Sequence, residues 1–362
     1  MTHQENPPLS VTPGAIRFNT DSMKLEYYRG GPVGFGTTTT TGEWVNITTD
    51  SPDIQTGGTR ALYGGGDNPS DQSNISYVNV DSTGNAITFG DLTDAKTALS
   101  GCSSRTRGLF CGGYFPTEAK IEYVTISSTG DASIFGDLTE HRINPGSLSS
   151  STRGITAGGR TSPSPVLTQF DTIDYVTIAS TGASKDFGNL STARNHFGEV
   201  SSSTRGIFAG GYIGPGFTSR VNIMDFITIS TLGNTADFGD LIDESASGGG
   251  CSNSIRGLFF GGQATPSPVR SNVIEYMTIS TLGNSIDFGD LTVARTSVDG
   301  TASPTRGIFI GGSNSPVAPN RTNTIDYVQI MTTGNAIDFG DMNSSTPPSA
   351  HGACSNGHGG LG

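Results

Sequence analysis

Thr106-Arg107-Gly108-Leu109-Phe110-Cys111-Gly112-Gly113 occurs, with variations, six times in this 362-residue chain. The copies are anchored at Arg60, Arg107, Arg153, Arg205, Arg256 and Arg306, each with Gly-Gly five and six residues later. The intervals between these arginines are 47, 46, 52, 51 and 50 residues. A self-similar period in this range marks stacked or radially arranged units, each too small to bury its own apolar face.

Two further marks recur inside each unit. The first is Ile-(Glu/Asp)-Tyr-Val with small changes, centred on Tyr77, Tyr123, Tyr175, Phe226, Tyr276 and Tyr327. The second is Phe-Gly-Asp-Leu, beginning at Phe89, Phe135, Phe187, Phe238, Phe288 and Phe339, with Asn189 replacing the aspartate in the third copy. From aromatic to phenylalanine is 12 residues in every unit, and from phenylalanine to the next arginine is 18. From arginine to aromatic the distance varies between 16 and 22. All length change therefore sits after the Gly-Gly and before the Ile-Glu-Tyr, which predicts variable loops on one face.

One unit reads as four short strands. Gly108 to Cys111 is apolar and ends at Gly-Gly. The run 121–126 is rich in β-branched residues, and a Ser-Thr-Gly-Asp turn returns the chain through 132–135. A polar crossing then leads to a Gly/Ser/Cys strand, seen as Leu99-Ser100-Gly101-Cys102. Four strands per unit make a propeller blade, and glycine in the last strand suits a crowded axis. The first unit lacks a good copy of that strand. After the sixth Phe-Gly-Asp, however, His351-Gly352-Ala353-Cys354-Ser355-Asn356 matches Gly249-Gly250-Cys251-Ser252-Asn253. The C-terminus is thus expected to pair beside 61–64 and close a ring of six blades. Seven blades would need residues 13–58 to supply one, and they carry none of the marks.

The expected fold is all-β: a six-bladed propeller over 59–362, preceded by a small β module over 1–58. In that module Ile16 and Phe18 alternate with Arg17, Leu25 and Tyr27 share a face of the return strand, and Glu43-Trp44-Val45 makes a third strand with the only Trp. It is too small to bury a core alone and is expected to dock on a neighbour or to oligomerise.

Composition narrows the functional classes. Charged residues are 14% and the formal net charge is −12, with 52 glycines. A nucleic-acid partner would need a basic stripe, and there is none. No 18-residue apolar run exists to span a membrane as a helix, and the first residues lack the charged and apolar regions of a secretory signal. The four cysteines, Cys102, Cys111, Cys251 and Cys354, show no C-x-x-C spacing and read as buried free thiols.

Chemistry-bearing motifs are few. The six arginines either form an anion-binding ring or pair with the aspartates of Phe-Gly-Asp (Asp91, Asp137, Asp240, Asp290, Asp341), and near-equal numbers favour pairing. Asp237 with Asp240, and its counterparts, supply too few oxygens for calcium. The histidines occupy no repeated position. There is no nucleophile elbow, phosphate loop or sialidase-type Asp-box, so no enzyme and no cofactor are expected. The variable loops, 67–74, 114–120, 160–172, 212–223, 263–273 and 313–324, remain. They should share a face with the crossings holding Lys96, Arg142, Arg194 and Arg295. Tyr114, Phe115, Arg160, Tyr212, Phe217, Arg220, Arg270 and Arg321 are the candidate partner-binding residues there.

The Gly-Leu-Phe-Cys-Gly-Gly, Ile-Glu-Tyr, Phe pattern resembles the kelch repeat over about 59–356, with phenylalanine (Phe89, Phe135 and equivalents) where kelch has Trp. The N-terminal Pro-Gly-Ala-Ile-Arg-Phe-Asn-Thr, Lys-Leu-Glu-Tyr-Tyr and Glu-Trp-Val segments resemble modules of virion proteins of tailed phages, marine cyanophages above all. The Ile-Asp-Tyr-Val and Phe-Gly-Asp-Leu repeat resembles structural proteins of the same phages. The resemblance implies a non-enzymatic virion component at the particle surface, a tail or capsid appendage, attached to other virion proteins through 1–58 and forming homo-oligomers. A lectin-like module that binds host surface glycan is the second expectation, and a polysaccharide-cleaving enzyme the third.

Overall fold

The structure is a computed structural model that describes residues 15–19, 24–29, 43–46, 59–67, 70–114, 119–161, 167–214, 219–264, 269–314, 321–344 and 347–361. Two compact units are present, Met1–Thr56 and Gly57–Gly362. In the first, Ile16–Asn19, Lys24–Arg29 and Glu43–Asn46 form an antiparallel meander in chain order. In the register of the first two strands Ile16 lies opposite Tyr27 and Phe18 opposite Leu25. Arg17 Nε donates to Glu26 Oε2 at 2.8 Å across the same pair of strands.

The second unit is a six-bladed β-propeller. Blade 2 shows the plan: Ser100–Ser103 lies at the axis, followed outward by Arg107–Cys111, Lys120–Thr125 and Ser133–Asp137, all antiparallel. Blade 1 is a composite. Its Arg60–Gly64, Asn74–Asn79 and Ile87–Asp91 follow one another in sequence, but the axial strand is Gly352–Ser355 from the other end of the chain. Gly352 pairs with Gly64 and Ser355 with Ala61, as the repeat alignment requires.

Six apolar clusters, one between each pair of neighbouring blades, form the core. The cluster between blades 6 and 1 joins Ile308, Ile310 and Ile325 to Ala61, Tyr63 and Val78, with Ala353 of the closing strand among them. The four cysteines are free and buried, three of them (Cys102, Cys251, Cys354) at one repeat position in the axial strand. Close packing at the axis explains the small residues: a Cβ on Gly101 would lie 2.4 Å from Ala353 O, and one on Gly250 2.2 Å from Glu199 O.

The glycine of Phe-Gly-Asp has a similar cause at the rim. Its outer strand takes the hairpin turn of the next blade: Gly130 N donates to Phe89 O at 2.9 Å, and Asp131 Oδ1 accepts from Asp91 N at 3.1 Å. A Cβ on Gly90 would lie 2.2 Å from Gly130 O. The last blade treats the first alike, with Gly84 N donating to Phe339 O at 2.9 Å.

The six repeat arginines do not pair with the Phe-Gly-Asp aspartates, which corrects the expectation from their numbers. Each guanidinium stacks on the aromatic mark of its own blade, 4.2 to 4.9 Å from the ring centroid. Each also donates through Nη1 to a main-chain carbonyl of the next blade, from Arg60 to Ile126 O (2.8 Å) round to Arg306 and Val80 O (3.2 Å). The aromatic mark in turn meets the phenylalanine of its blade edge to face, at 5.9 to 6.2 Å. The carbonyls lie three residues past the aromatic mark, where each strand leaves its blade. Arginine therefore serves as a blade-to-blade clasp, through one cation–π contact and one charge-assisted hydrogen bond. Arg205, over Phe226 at 4.5 Å and bonded to Ile279 O at 2.8 Å, is a clean test. Arg205→Ala is expected to lower stability by roughly 2 kcal/mol in urea melts; an unchanged midpoint would remove the clasp.

Candidate binding face

The variable segments open on the face of the propeller where the axial strands begin. Their bases are held by the crossings: Tyr114 N donates to Thr97 O (2.7 Å), Arg160 N to Ile143 O (3.0 Å) and Tyr212 N to Asn195 O (2.9 Å). The residue after each Gly-Gly is thus fixed at the inner edge of the face.

Beneath it lie four buried ion pairs. Lys96 meets Glu122 at 3.0 Å, Arg142 meets Asp174 at 3.0 Å, Arg194 meets Asp225 at 3.1 Å and Arg295 meets Asp326 at 2.8 Å. All eight residues are at most 1% exposed. Burial pulls the guanidinium pKa values down, and the facing aspartates push them back up. The crossing cations therefore support the face from below and do not reach a partner in solvent.

The candidate residues fall into distinct settings. Tyr114 is exposed. Arg160 is half-buried, with Nη1 donating to Thr161 O at 3.1 Å; burial lowers its pKa. Tyr212 and Arg220 are brought together: both are buried, the guanidinium lies 5.4 Å over the ring, and both donate to Gln263 Oε1 of blade 5, at 2.7 and 2.8 Å. The run 212–223 is also less of a loop than the spacing suggests. Tyr212–Ile213 pairs with the start of Ser219–Thr228, with Tyr212 opposite Arg220, which extends the third strand of blade 4. Arg270 and Arg321 stay apart from that pair and reach the next blade: Arg270 Nε donates to Ser313 O at 3.0 Å, and Arg321 Nη2 meets Asp67 Oδ2 at 2.6 Å. Phe115 and Phe217 lie outside the described residues.

A feature not foreseen from the sequence occupies the centre. Ala98, Asn144, His196, Ser247, Ser297 and Ala350 precede the six axial strands, and all adopt φ of 51° to 59°. This left-handed region is costly for residues with a Cβ, and it persists where the surroundings impose it. The cause is a closed ring of six hydrogen bonds, in which each N–H donates to the same position of the preceding blade, at 2.7 to 3.4 Å. Asn and His hint at such a conformation; Ala and Ser do not.

Inside the ring is a cavity of about 70 Å³ lined by Glu199, Asp299 and His351, and below it one of about 40 Å³ that the same two carboxylates share with His358. Burial and the neighbouring Asp299 raise the Glu199 pKa well above its usual value, and burial raises Asp299 to about 7. Neither nitrogen of buried His351 has a hydrogen-bond partner among the described residues. The two acids were legible, since each replaces Gly, Ser or Ala at its place in the other axial strands. At the far end five serines link around the axis, for example Ser149 Oγ to Ser103 O at 2.7 Å, and the C-terminal turn Gly359–Leu361 is buried against them. Arg105 Nη2 binds Leu361 O at 2.8 Å and His358 Nε2 faces Ser103 O at 2.9 Å. The axial space is thus capped at one end by the chain's own terminus.

The class defined by this architecture is the six-bladed β-propeller. No protein-family model matches the chain, and a search of curated proteins finds no match.

Proposed function

We propose that the chain is a non-enzymatic structural component at the surface of a tailed-phage particle, a tail or capsid appendage. In this reading residues 1–58 attach it to other virion proteins, it assembles as a homo-oligomer, and the propeller presents its loop face outward. One observation carries the reading. The charged and aromatic residues that recur in every repeat are engaged in blade-to-blade or intra-blade contacts, while variation in length is confined to one face. That is the economy of a rigid display scaffold, with function delegated to the loops. The kelch-like and phage-like motifs support the particle setting.

Deleting residues 1–50 is expected to abolish incorporation into particles while the propeller keeps its cooperative melt. Unchanged incorporation would remove the attachment role. A second reading, recognition of host surface glycan, is favoured by exposed Tyr114 on the loop face, since an aromatic ring suits the apolar face of a sugar. Binding of the full chain to a glycan array, lost in a Tyr114→Ala variant, would favour it over a purely structural role.

A further inference from the structure

The buried ion pairs under the loop face follow a three-residue rule within each blade. The acid sits one residue before the aromatic mark. The cation sits seven residues after the preceding phenylalanine mark, and a hydroxyl residue sits four after it. In blade 6, Asp326 takes Arg295 at 2.8 Å and Thr292 Oγ1 at 2.7 Å. Blades 2, 3 and 4 repeat the triad with Lys96, Arg142 or Arg194 and Thr93, Thr139 or Ser191. Blade 1 drops the charge altogether, with Ser76 at the acid position and Thr346 at the cation position.

Blade 5 alone keeps the acid and loses both partners. Glu275 faces Ser245 at the cation position and Ile242 at the hydroxyl position. Glu275 is 8% exposed and takes two hydrogen bonds, from Ile242 N (3.0 Å) and Ser285 Oγ (2.5 Å), both at Oε2. No cation faces it among the described residues. Leaving a carboxylate buried without a counter-charge is strongly unfavourable. Where the sister blades place a guanidinium, blade 5 has a cavity of about 40 Å³ lined by Glu275, Ser245, Asp243, Ser271 and Gly248. By the usual allowance per water this holds roughly three water-sized groups, the scale of one guanidinium head. Asp243 is exposed, so the cavity reaches solvent beside a second carboxylate. Burial raises the Glu275 pKa, and Asp243 and Asp287 add to the rise.

We propose that this cavity, between Glu275 and Ser245, binds a small guanidinium-bearing molecule in place of the arginine the blade lacks. The contact of a guanidinium Nη2 with the carboxylate at this position, made three times in this chain by arginine, supplies the recognition, and Asp243 at the rim supplies attraction. The site is independent of the reading of the loop face.

The test is thermal unfolding of the full chain in low-millimolar methylguanidinium chloride, against sodium chloride at equal ionic strength. At ten times the dissociation constant the wild type is expected to melt about 3 °C higher than in sodium chloride. Glu275→Gln, close in shape, is expected to lose that shift. Ser245→Arg restores the missing side chain and is expected to melt higher than wild type without ligand and to ignore methylguanidinium. Should Ser245→Arg fail to fold, Glu275→Gln still decides. An equal shift in wild type and Glu275→Gln, or none in wild type, overturns the proposal.

Discussion

A chain ending at Ser349 is expected to show no cooperative unfolding transition at 25 °C. The 13 residues removed contain the axial strand of blade 1, so Arg60–Gly64 would face the axis with an unpaired edge. Four residue pairs of ladder are lost, each exposed backbone group in a buried setting costing about 1–3 kcal/mol. Burial of Ala353, Cys354 and Leu361 is lost too, together with the Ser103–Ser355 and Ser355–Ala302 links. A total stability of about 5–15 kcal/mol does not survive that sum. Ending the chain at Asn356 instead keeps the strand and the bond from Arg60 N to Asn356 Oδ1, and removes only the axial cap. That shorter cut is expected to leave one cooperative transition with a lower midpoint. Circular dichroism melts of the three lengths decide. If the chain ending at Ser349 melts like the full one, the ring does not depend on its C-terminal clasp.

Acid is the second large effect. His351 is buried and His196 and His358 are half-buried; desolvation holds the pKa of His196 at about 3, of His351 at about 4 and of His358 at about 4, against 6.5 for an ordinary histidine. The charges of Arg160, Arg295 and Arg105 act in the same direction. As pH falls below 6.5 the unfolded chain takes up these protons and the folded chain does not. The stability is therefore fully present above pH 6.5 and is lost progressively down to about pH 4. For His351 or His358 the drop from 6.5 to about 4 corresponds to about 3 kcal/mol. Asp299, raised to about 7, acts the other way: the folded state takes its proton first, which adds stability as pH falls from 7 towards 4. Glu199 and Glu275, whose pKa values burial also raises, act as Asp299 does, so the histidine contribution is read as a difference between variants. The mechanism is clearest at His358, where Nε2 faces Ser103 O (2.9 Å) and Nδ1 accepts from Gly360 N (3.1 Å). Protonating Nδ1 sets one N–H against another and breaks the cap. From pH 8 to pH 4 the urea midpoint of wild type should lose ground to that of His358→Gln, whose amide can keep both contacts. Parallel curves would show that the cap does not sense protons.

Much of this architecture could be read along the chain. Constant spacings of 12 and 18 residues follow from strands and turns of constant length, and those depend on neighbours in sequence. The match of Gly352-Ala353-Cys354-Ser355 to other axial strands revealed the closing blade, because crowding at the axis demands small residues wherever a strand comes from. The loop face was legible for the same reason: only a segment outside the packed layers can change length freely. The side-chain partnerships were less accessible. The six arginines were matched to aspartates by count, yet they bind carbonyls of the next blade and the rings beneath them.

The sequence alone determined the number of blades, the point of closure and the face that varies, since each is written in periodicity and in residue size. The tertiary structure decided which charges meet, because Lys96 finds Glu122 and Arg295 finds Asp326 only once a crossing and a strand, 26 and 31 residues apart, are folded into one blade. It also decided the backbone ring at the axial mouth. Six residues, four of them Ala or Ser, adopt φ of 51° to 59° there because closing the circle leaves their N–H groups no other partner than the blade before.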